Sequence, residues 1–94
     1  MIENAAVMGD RFLAGLRALN HSVIREVRGR GLLIALELTP DAGGARRLTE
    51  TLMERGLLAK ETHTHTVRFA PPLIVTAEQV DWALEQIAAG LGIY

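Results

Sequence analysis

Apolar residues recur at helical spacing in three stretches of the chain, and each stretch predicts an amphipathic helix. The first stretch places four apolar side chains on one helix face: Met8, Phe12, Leu16 and Leu19. The second predicted helix runs from about Ala45 to Arg55 and ends at Gly56. The third begins at a capping box formed by Thr76 and Gln79. Its predicted buried residues are Val80, Ala83, Leu84, Ile87 and Leu91.

The segments between these helices have the composition of short strands. SVIREVRG (22–29) mixes β-branched residues with arginines, which is typical of a half-exposed strand. LLIALEL (32–38) is an almost unbroken apolar run and is predicted to be a central strand. Two shorter strands are predicted at LLAK (57–60) and TVRFA (66–70), joined by the polar connection ETHTH.

The predicted order of elements is α-β-β-α-β-β-α, within one domain that spans residues 1–94. This order favours an α+β fold, in which a small antiparallel or mixed sheet has its helices packed on one face. The other face of the sheet is then either exposed to water or covered by a part that these residues do not supply.

Composition and charge exclude several classes of protein. The chain is 49% hydrophobic and 22% charged with a formal net charge of -1, so it lacks the basic stripe of a nucleic-acid binder. It contains no cysteine, which excludes a disulfide scaffold and agrees with a reducing compartment. No apolar run is long enough to span a bilayer, and the stretch MIENAAVMGDRF (1–12) lacks the basic start and apolar region of a secretory signal. We therefore expect a cytoplasmic protein.

Arg68 is the strongest candidate for a functional side chain. Residues alternate between the two faces of a strand, so Val67 and Phe69 share one face and Arg68 takes the other. Pro71 and Pro72 cannot donate to a β-ladder, so they end the strand and stiffen the backbone after it. A guanidinium carried by a rigid backbone can bind a carboxylate through two parallel hydrogen bonds. The alternative is a solvated arginine or a structural ion pair.

Two other features carry weaker chemical signals. His63 and His65 form an H-x-H pair that lacks a third metal ligand, so we expect no metal site and instead place the pair beside a ligand pocket. Lys60 is the single lysine, but it ends a short strand and precedes Glu61. Lysines that form Schiff bases are usually buried, so the sequence favours a solvated lysine at this position.

Several motifs together resemble one enzyme family. The stretches 24–38 and 54–87 are similar to the C-terminal small domain of the ornithine aminotransferases, which belong to the class III pyridoxal-phosphate-dependent aminotransferases. The most specific motifs are GLLAK (56–60), Thr62 with His63, and RFAPPL (68–73). With the first helix included, the resemblance covers nearly the whole chain.

The resemblance implies a small domain of a fold-type I aminotransferase. The reaction it implies transfers the δ-amino group of ornithine to 2-oxoglutarate and gives glutamate semialdehyde and glutamate. Arg68 then binds the α-carboxylate of glutamate or 2-oxoglutarate. The catalytic and cofactor-binding residues are expected in a large domain outside these residues, so this chain supplies no catalytic, cofactor-binding or metal residue and is inactive alone. The expected partners are that large-domain half, the small-molecule substrates and, once assembled, further identical subunits, with no nucleic acid or membrane.

Two other functions remain open at this point. A stand-alone amino-acid-binding regulatory module would use Arg68 equally well, and a structural interaction domain would use the bare sheet face. The helical pattern begins almost at residue 1, which suits either a short protein or a piece of a longer one. Whether such an enzyme prefers ornithine, acetylornithine or 4-aminobutyrate is likewise open.

Overall fold

The apolar run that the sequence predicts to be a central strand forms one of the two inner strands of the sheet. The computed structural model describes residues 2–94. The three helices are α1 (Ile2–Leu19), α2 (Arg46–Glu54) and α3 (Ala77–Gly90). The four strands are β1 (Ile24–Arg30), β2 (Leu33–Leu38), β3 (Lys60–Thr62) and β4 (Thr66–Phe69). Short 3-10 turns occupy Pro40–Ala42 and Leu91–Ile93.

The four strands form one antiparallel sheet in the order β1-β2-β4-β3. Both neighbouring pairs in the chain, β1 with β2 and β3 with β4, are hairpins. The β2–β4 pairing joins the two hairpins, with Ile34 opposite Phe69 and Leu36 opposite Val67. The predicted α+β fold is confirmed, and the sheet is antiparallel throughout.

All three helices pack on one face of this sheet and enclose a single core. The inward side chains of β2 and β4 are fully or almost fully buried: Ile34, Leu36, Leu38, Val67 and Phe69. Phe12 and Leu16 of α1 and Ile87 of α3 meet them in the core. Removal of these apolar surfaces from water is the main stabilising term for a domain of this size.

Local sequence signals set the helix ends. Asn20 follows α1 with a left-handed φ of 47°, as a helix C-terminal residue often does. In the capping box of α3, the Gln79 N–H donates to Thr76 Oγ1 at 3.2 Å and the Thr76 N–H donates to Gln79 Oε1 at 3.0 Å. The capping box lies where the sequence predicts it.

The predicted strand at 57–60 is wrong in position, since β3 covers Lys60–Thr62. Gly56, with φ of 91°, ends α2 in a Schellman arrangement. In that arrangement the Leu57 N–H donates to Leu52 O at 2.9 Å, and the Gly56 N–H donates to Met53 O at 3.0 Å. Leu57 therefore belongs to the helix cap, and pairing with β4 begins only at Lys60.

Two contacts fix α1 against its neighbours. Gly9 lies against the β1–β2 turn so closely that an added Cβ would be 2.0 Å from the Gly31 carbonyl oxygen. Arg11 forms a two-point ion pair with Asp81 of α3, with Nε–Oδ1 and Nη2–Oδ2 distances of 2.8 and 2.7 Å. None of the helices in the described part of the chain combines the length and apolar character that a membrane crossing needs.

Candidate functional site

Arg68 projects from the face of the sheet that the helices leave uncovered. Its strand neighbours Val67 and Phe69 are buried on the helix side, and Arg68 itself is exposed. Strand β4 lies between β2 and β3, so hydrogen bonds on both sides hold the backbone that carries Arg68. The alternation along this strand is as predicted. The guanidinium therefore stands on a rigid part of the fold.

The register of the sheet places Arg68 in a row of residues that crosses all four strands. Arg28 of β1 is opposite Ala35 of β2, Ala35 is opposite Arg68, and Arg68 is opposite Lys60 of β3. Directly opposite residues in an antiparallel sheet have their side chains on the same face. The outer face thus carries three cationic side chains in one row, in which Ala35 separates Arg28 from Arg68 and Lys60.

The two halves of this row differ in their ion pairs. Arg28 Nη1 lies 2.9 Å from Glu37 Oε1 and 3.2 Å from Glu26 Oε2, and Arg25 Nε lies 3.5 Å from Glu37 Oε2. By contrast, no carboxylate of residues 2–94 lies within 4.0 Å of Arg68 or Lys60. Within the described part of the chain, Arg68 therefore has no carboxylate with which to form a structural ion pair.

Arg68 and Lys60 line a shallow depression of about 300 Å³ on this face. The remaining lining residues are aliphatic: Leu58, Ala59 and Ala70. A cationic fork beside apolar walls can bind a carboxylate bidentately, and an ion pair that is shielded from water is stronger than an exposed one.

An apolar groove of about 440 Å³ adjoins the depression and shares Leu58 and Ala70 with it. Its other walls include Pro71, Pro72 and Trp82. Leu58 is 79% exposed and Trp82 is 42% exposed, and Ile74, just past the two prolines, is 72% exposed. Exposed apolar side chains that line one groove, as Leu58 and Trp82 do, are typical of a site of contact with another molecule or segment.

The histidine pair does not take the place expected for it. His63, with a left-handed φ of 53°, lies in the turn between β3 and β4, and neither His63 nor His65 lines the depression or the groove. His65 Nδ1 is buried without a hydrogen-bond partner among residues 2–94. In the same range, no group of three possible metal ligands comes together. The two histidines therefore lie outside both the depression and the groove, and their place beside another ligand pocket stays a prediction.

The sequence did not indicate that Lys60 lies beside Arg68. It was predicted to end a strand beside Glu61, but it begins β3 and shares a sheet face with Arg68. Glu61 lies on the opposite face, since its register partner is the buried Val67. Only the hairpin register, with Thr62 opposite Thr66, would have revealed the pairing of Lys60 with Arg68.

Comparison with known proteins identifies the relatives of this chain. The family model described as aminotransferase class-III matches residues 1–91. An ornithine aminotransferase of Bordetella pertussis is 60% identical over 88 residues, which are 94% of this chain and 21% of that relative. The chain therefore spans about a fifth of the length of this curated relative.

Solved structures of similar proteins have the same fold. The ornithine delta-aminotransferase of Plasmodium falciparum matches with a TM-score of 0.90 and 38% identity, over 97% of this chain and 24% of that chain. An acetylornithine aminotransferase from Elizabethkingia anophelis matches with a TM-score of 0.89 and 38% identity, over 98% of this chain and 25% of that chain. The backbone alone thus does not separate these two kinds of relative.

Proposed function

The chain belongs to the class III aminotransferase family, and from this premise we propose that residues 1–94 form the C-terminal small domain of an ornithine aminotransferase. The proposed reaction moves the δ-amino group of ornithine to 2-oxoglutarate and gives glutamate semialdehyde and glutamate. The 60% identity to the Bordetella pertussis relative, which is called an ornithine aminotransferase, supports the choice of substrate. An ornithine and an acetylornithine aminotransferase have similar TM-scores to this chain, so the backbone does not distinguish the two substrates and side chains must do so.

The observation that carries the proposal is the unpaired guanidinium of Arg68 at the depression on the outer sheet face. We propose that Arg68 binds the α-carboxylate of glutamate or 2-oxoglutarate. When ornithine reacts at its δ-amino end, the resemblance implies that a glutamate of the large domain pairs with Arg68 instead. The missing carboxylate partner within residues 2–94 agrees with a partner that comes from substrate or from another part of the enzyme.

Class III aminotransferases use pyridoxal phosphate, and the residues described here do not fit that cofactor. The one lysine, Lys60, is exposed on an edge strand, whereas a lysine that forms a Schiff base is usually buried. The depression that it lines contains no acid to meet a ring nitrogen. We therefore propose that the cofactor is bound outside these residues and that the chain alone does not transaminate.

The apolar groove supports the proposal of a large-domain partner. The chain covers about a fifth of its curated relative, so most of that protein's length lies outside the matched region. We propose that part of this remainder covers Leu58, Trp82 and the neighbouring prolines. The Arg68 depression adjoins the groove and would then lie at the boundary between the two parts, where water is excluded and a carboxylate is bound more tightly.

The experiment that tests this function uses an assembled enzyme, in which this chain replaces the matched 88 residues of the Bordetella pertussis relative. We expect this chimera to convert ornithine and 2-oxoglutarate to glutamate semialdehyde. Arg68→Ala should raise KM for 2-oxoglutarate at least ~30-fold, because truncating one partner of a desolvated charge pair costs about 2–5 kcal/mol. The KM of the Arg68→Lys enzyme for 2-oxoglutarate should lie between the values of the parent and of Arg68→Ala. Lysine keeps the positive charge but cannot donate the two parallel hydrogen bonds of a guanidinium.

Arg30→Ala is the matched control, because Arg30 is also exposed on the outer face of the sheet but lies at the end of β1, opposite Leu33. An unchanged KM for 2-oxoglutarate in the Arg68→Ala enzyme would show that Arg68 does not bind this substrate. A folded chimera, as judged by circular dichroism and gel filtration, that does not transaminate contradicts the proposed function.

Calorimetry on the isolated chain separates the remaining alternatives. A small domain that supplies only part of a site should bind glutamate, 2-oxoglutarate and ornithine weakly. Tight binding of one of these ligands by the 94-residue chain would favour a regulatory module instead.

A further inference from the structure

A turn of unusual composition follows β4 and the two prolines. The Val75 N–H donates to Pro72 O at 3.0 Å and closes a turn that has Leu73 and Ile74 at its centre. Turn positions are normally occupied by Gly, Pro, Asn, Asp or Ser. Here both central residues are large and aliphatic, and they are 51% and 72% exposed. The local sequence therefore gives this turn little support.

The turn is held instead by α1, from a residue 69 positions before Leu73 in the chain. Asn4 Nδ2 donates to Leu73 O at 2.8 Å and to Val75 O at 3.1 Å. Both partners are carbonyl oxygens, so only the amide nitrogen of Asn4 can meet them, and it uses both of its protons. The Val75 side chain is buried next to this contact. The turn is therefore fixed at its centre and at its end.

The turn borders the apolar groove of about 440 Å³. Pro71, Pro72 and Val75 line that groove. Leu73 and Ile74 lie between these residues in the chain and add two exposed aliphatic side chains beside the groove. A sequence that departs from local turn preferences is typical of a functional site. Apolar side chains on a turn that is already fixed also lose little conformational freedom when they bind a partner.

We propose that Asn4 is a positioning residue for domain docking, whose amide holds the Pro72–Val75 turn in the shape in which the turn contacts the large-domain half of the enzyme. Leu73 and Ile74 supply the contact. The turn is continuous with the groove, and about four fifths of the Bordetella pertussis relative lies outside the matched residues, which is enough to cover both. The inference rests on the proposed function and adds to it a residue that organises the domain boundary.

Amide hydrogen exchange of the 94-residue chain tests the hold of Asn4 on the turn. Asn4→Asp keeps the size of the side chain, and its charge favours the start of a helix, but a carboxylate cannot donate to either carbonyl. The Val75 amide should therefore exchange about tenfold faster, the loss expected for one to two hydrogen bonds. The amides of β4, which is paired on both sides, should not change. Glu3→Gln, an exposed charge change in the same helical turn, is the matched control and should leave the Val75 rate unchanged.

Hydrogen exchange of the assembled chimera tests the docking. The amides of Leu73, Ile74 and Val75 should exchange at least ~10-fold more slowly in the chimera than in the isolated chain, because the large-domain half covers them. Ile74→Asp should remove this additional protection, since it places a charge in an apolar contact. Met53→Asp is the control, because Met53 is an exposed apolar residue of α2 that does not line the groove. It should keep the protection.

The kinetics of the chimera separate a docking role from a role in binding one substrate. Weaker docking lowers the fraction of enzyme that is competent to bind either substrate. Asn4→Asp should therefore raise KM for ornithine and for 2-oxoglutarate by the same factor, about three- to tenfold, with kcat nearly unchanged. A rise confined to 2-oxoglutarate, or no change in either KM, would contradict the docking role of Asn4.

The outcomes also separate this inference from the proposed function. If the Val75 amide exchanges at the same rate in the parent and in Asn4→Asp, or if the turn gains no protection in the chimera, this inference is overturned, and Arg68→Ala decides the proposed substrate site independently. A folded chimera that does not transaminate, but in which the turn is protected and Asn4→Asp reduces that protection, contradicts the proposed function and leaves the docking role in place.

Discussion

Phe12 of α1 and Phe69 of β4 pack with ring centroids 5.5 Å apart and ring planes at 37°. Phe69 follows Arg68 in the strand, so this contact holds the backbone from which the guanidinium projects. Both rings are almost completely buried. The core of the domain therefore positions the candidate binding residue on the opposite face.

Phe12→Ala should lower the free energy of unfolding by about 3–5 kcal/mol, because a buried aromatic ring is lost and a cavity remains. Urea denaturation of the 94-residue chain measures this change. Leu33→Ala is the control, since Leu33 is 62% exposed on the outer face and should cost about 0.5 kcal/mol or less. Equal losses in the two variants would show that Phe12 does not belong to the core described here.

Gly9→Ala should destabilise the protein by about 1–3 kcal/mol, although alanine normally stabilises a helix relative to glycine. The added Cβ would be 2.0 Å from Gly31 O and 2.6 Å from Gly31 C, which are backbone atoms that cannot rotate away. Thermal and urea unfolding measure the sign of the effect.

Gly92→Ala provides the matched control for this helix contact, because an added Cβ there meets nothing within 4 Å. We expect a change of about 0.5 kcal/mol or less. A Gly9→Ala protein that is more stable than the parent would mean that α1 does not approach the β1–β2 turn as closely as described.

Asp81→Asn should reduce stability at neutral pH and have progressively less effect as the pH falls. The hydrogen bond from Arg11 is the main cause that lowers the pKa of Asp81 below its ordinary value of 3.8. A carboxylate whose pKa is lower in the folded state contributes stability above its unfolded pKa and loses it as the pH falls through its folded pKa. The effect should be small, because the pair is about half exposed.

Thermal unfolding of the parent and Asp81→Asn proteins between neutral pH and about pH 2 measures this dependence. Asp10→Asn is the control, since Asp10 is exposed on α1 and forms no ion pair among residues 2–94. A difference between parent and Asp81→Asn that stays constant down to the lowest pH would contradict the assigned role of the Arg11–Asp81 pair.

Trp82 should become shielded when the rest of the enzyme binds the apolar groove. The chain has one tryptophan, so 5-fluorotryptophan labels this position uniquely. Adding the remaining part of the Bordetella pertussis relative, expressed without its matched 88 residues, should shift the fluorine resonance and reduce its solvent exposure. Leu58→Asp should weaken the effect because it places a charge in the groove.

Met53→Asp is the control for the groove, because Met53 is an exposed apolar residue of α2 that does not line it. It should leave the fluorine shift unchanged. No change of the Trp82 resonance on mixing would contradict the groove as the docking surface.

Features that depend on short-range geometry were predictable from the sequence. The capping box of Thr76 and Gln79 and the end of α2 at Gly56 are encoded within a few residues, and they occur where expected. The same holds for the outward direction of Arg68, since alternation is a property of every strand. The candidate binding residue was therefore accessible without coordinates.

The strand near Lys60 was misplaced because its pattern was ambiguous. Leu57 and Leu58 look like strand residues, but the Schellman hydrogen bonds at the end of α2 include Leu57 in the helix cap. The turn at residues 63–65 joins β3 to β4, with Thr62 opposite Thr66. Whether Leu57 belongs to a strand or to a helix cap is decided by hydrogen bonds, which a hydrophobic pattern does not reveal.

Sequence periodicity thus determined the element types, the buried helix faces and the face from which Arg68 emerges, because each follows from backbone geometry over a few residues. Only the tertiary structure decided that Lys60 is opposite Arg68, that no carboxylate of residues 2–94 reaches either cation, and that Gly9 touches Gly31. These relations join residues that are distant in the chain or depend on strand register. Register and helix docking are set by the collective packing of the core, which no local pattern specifies.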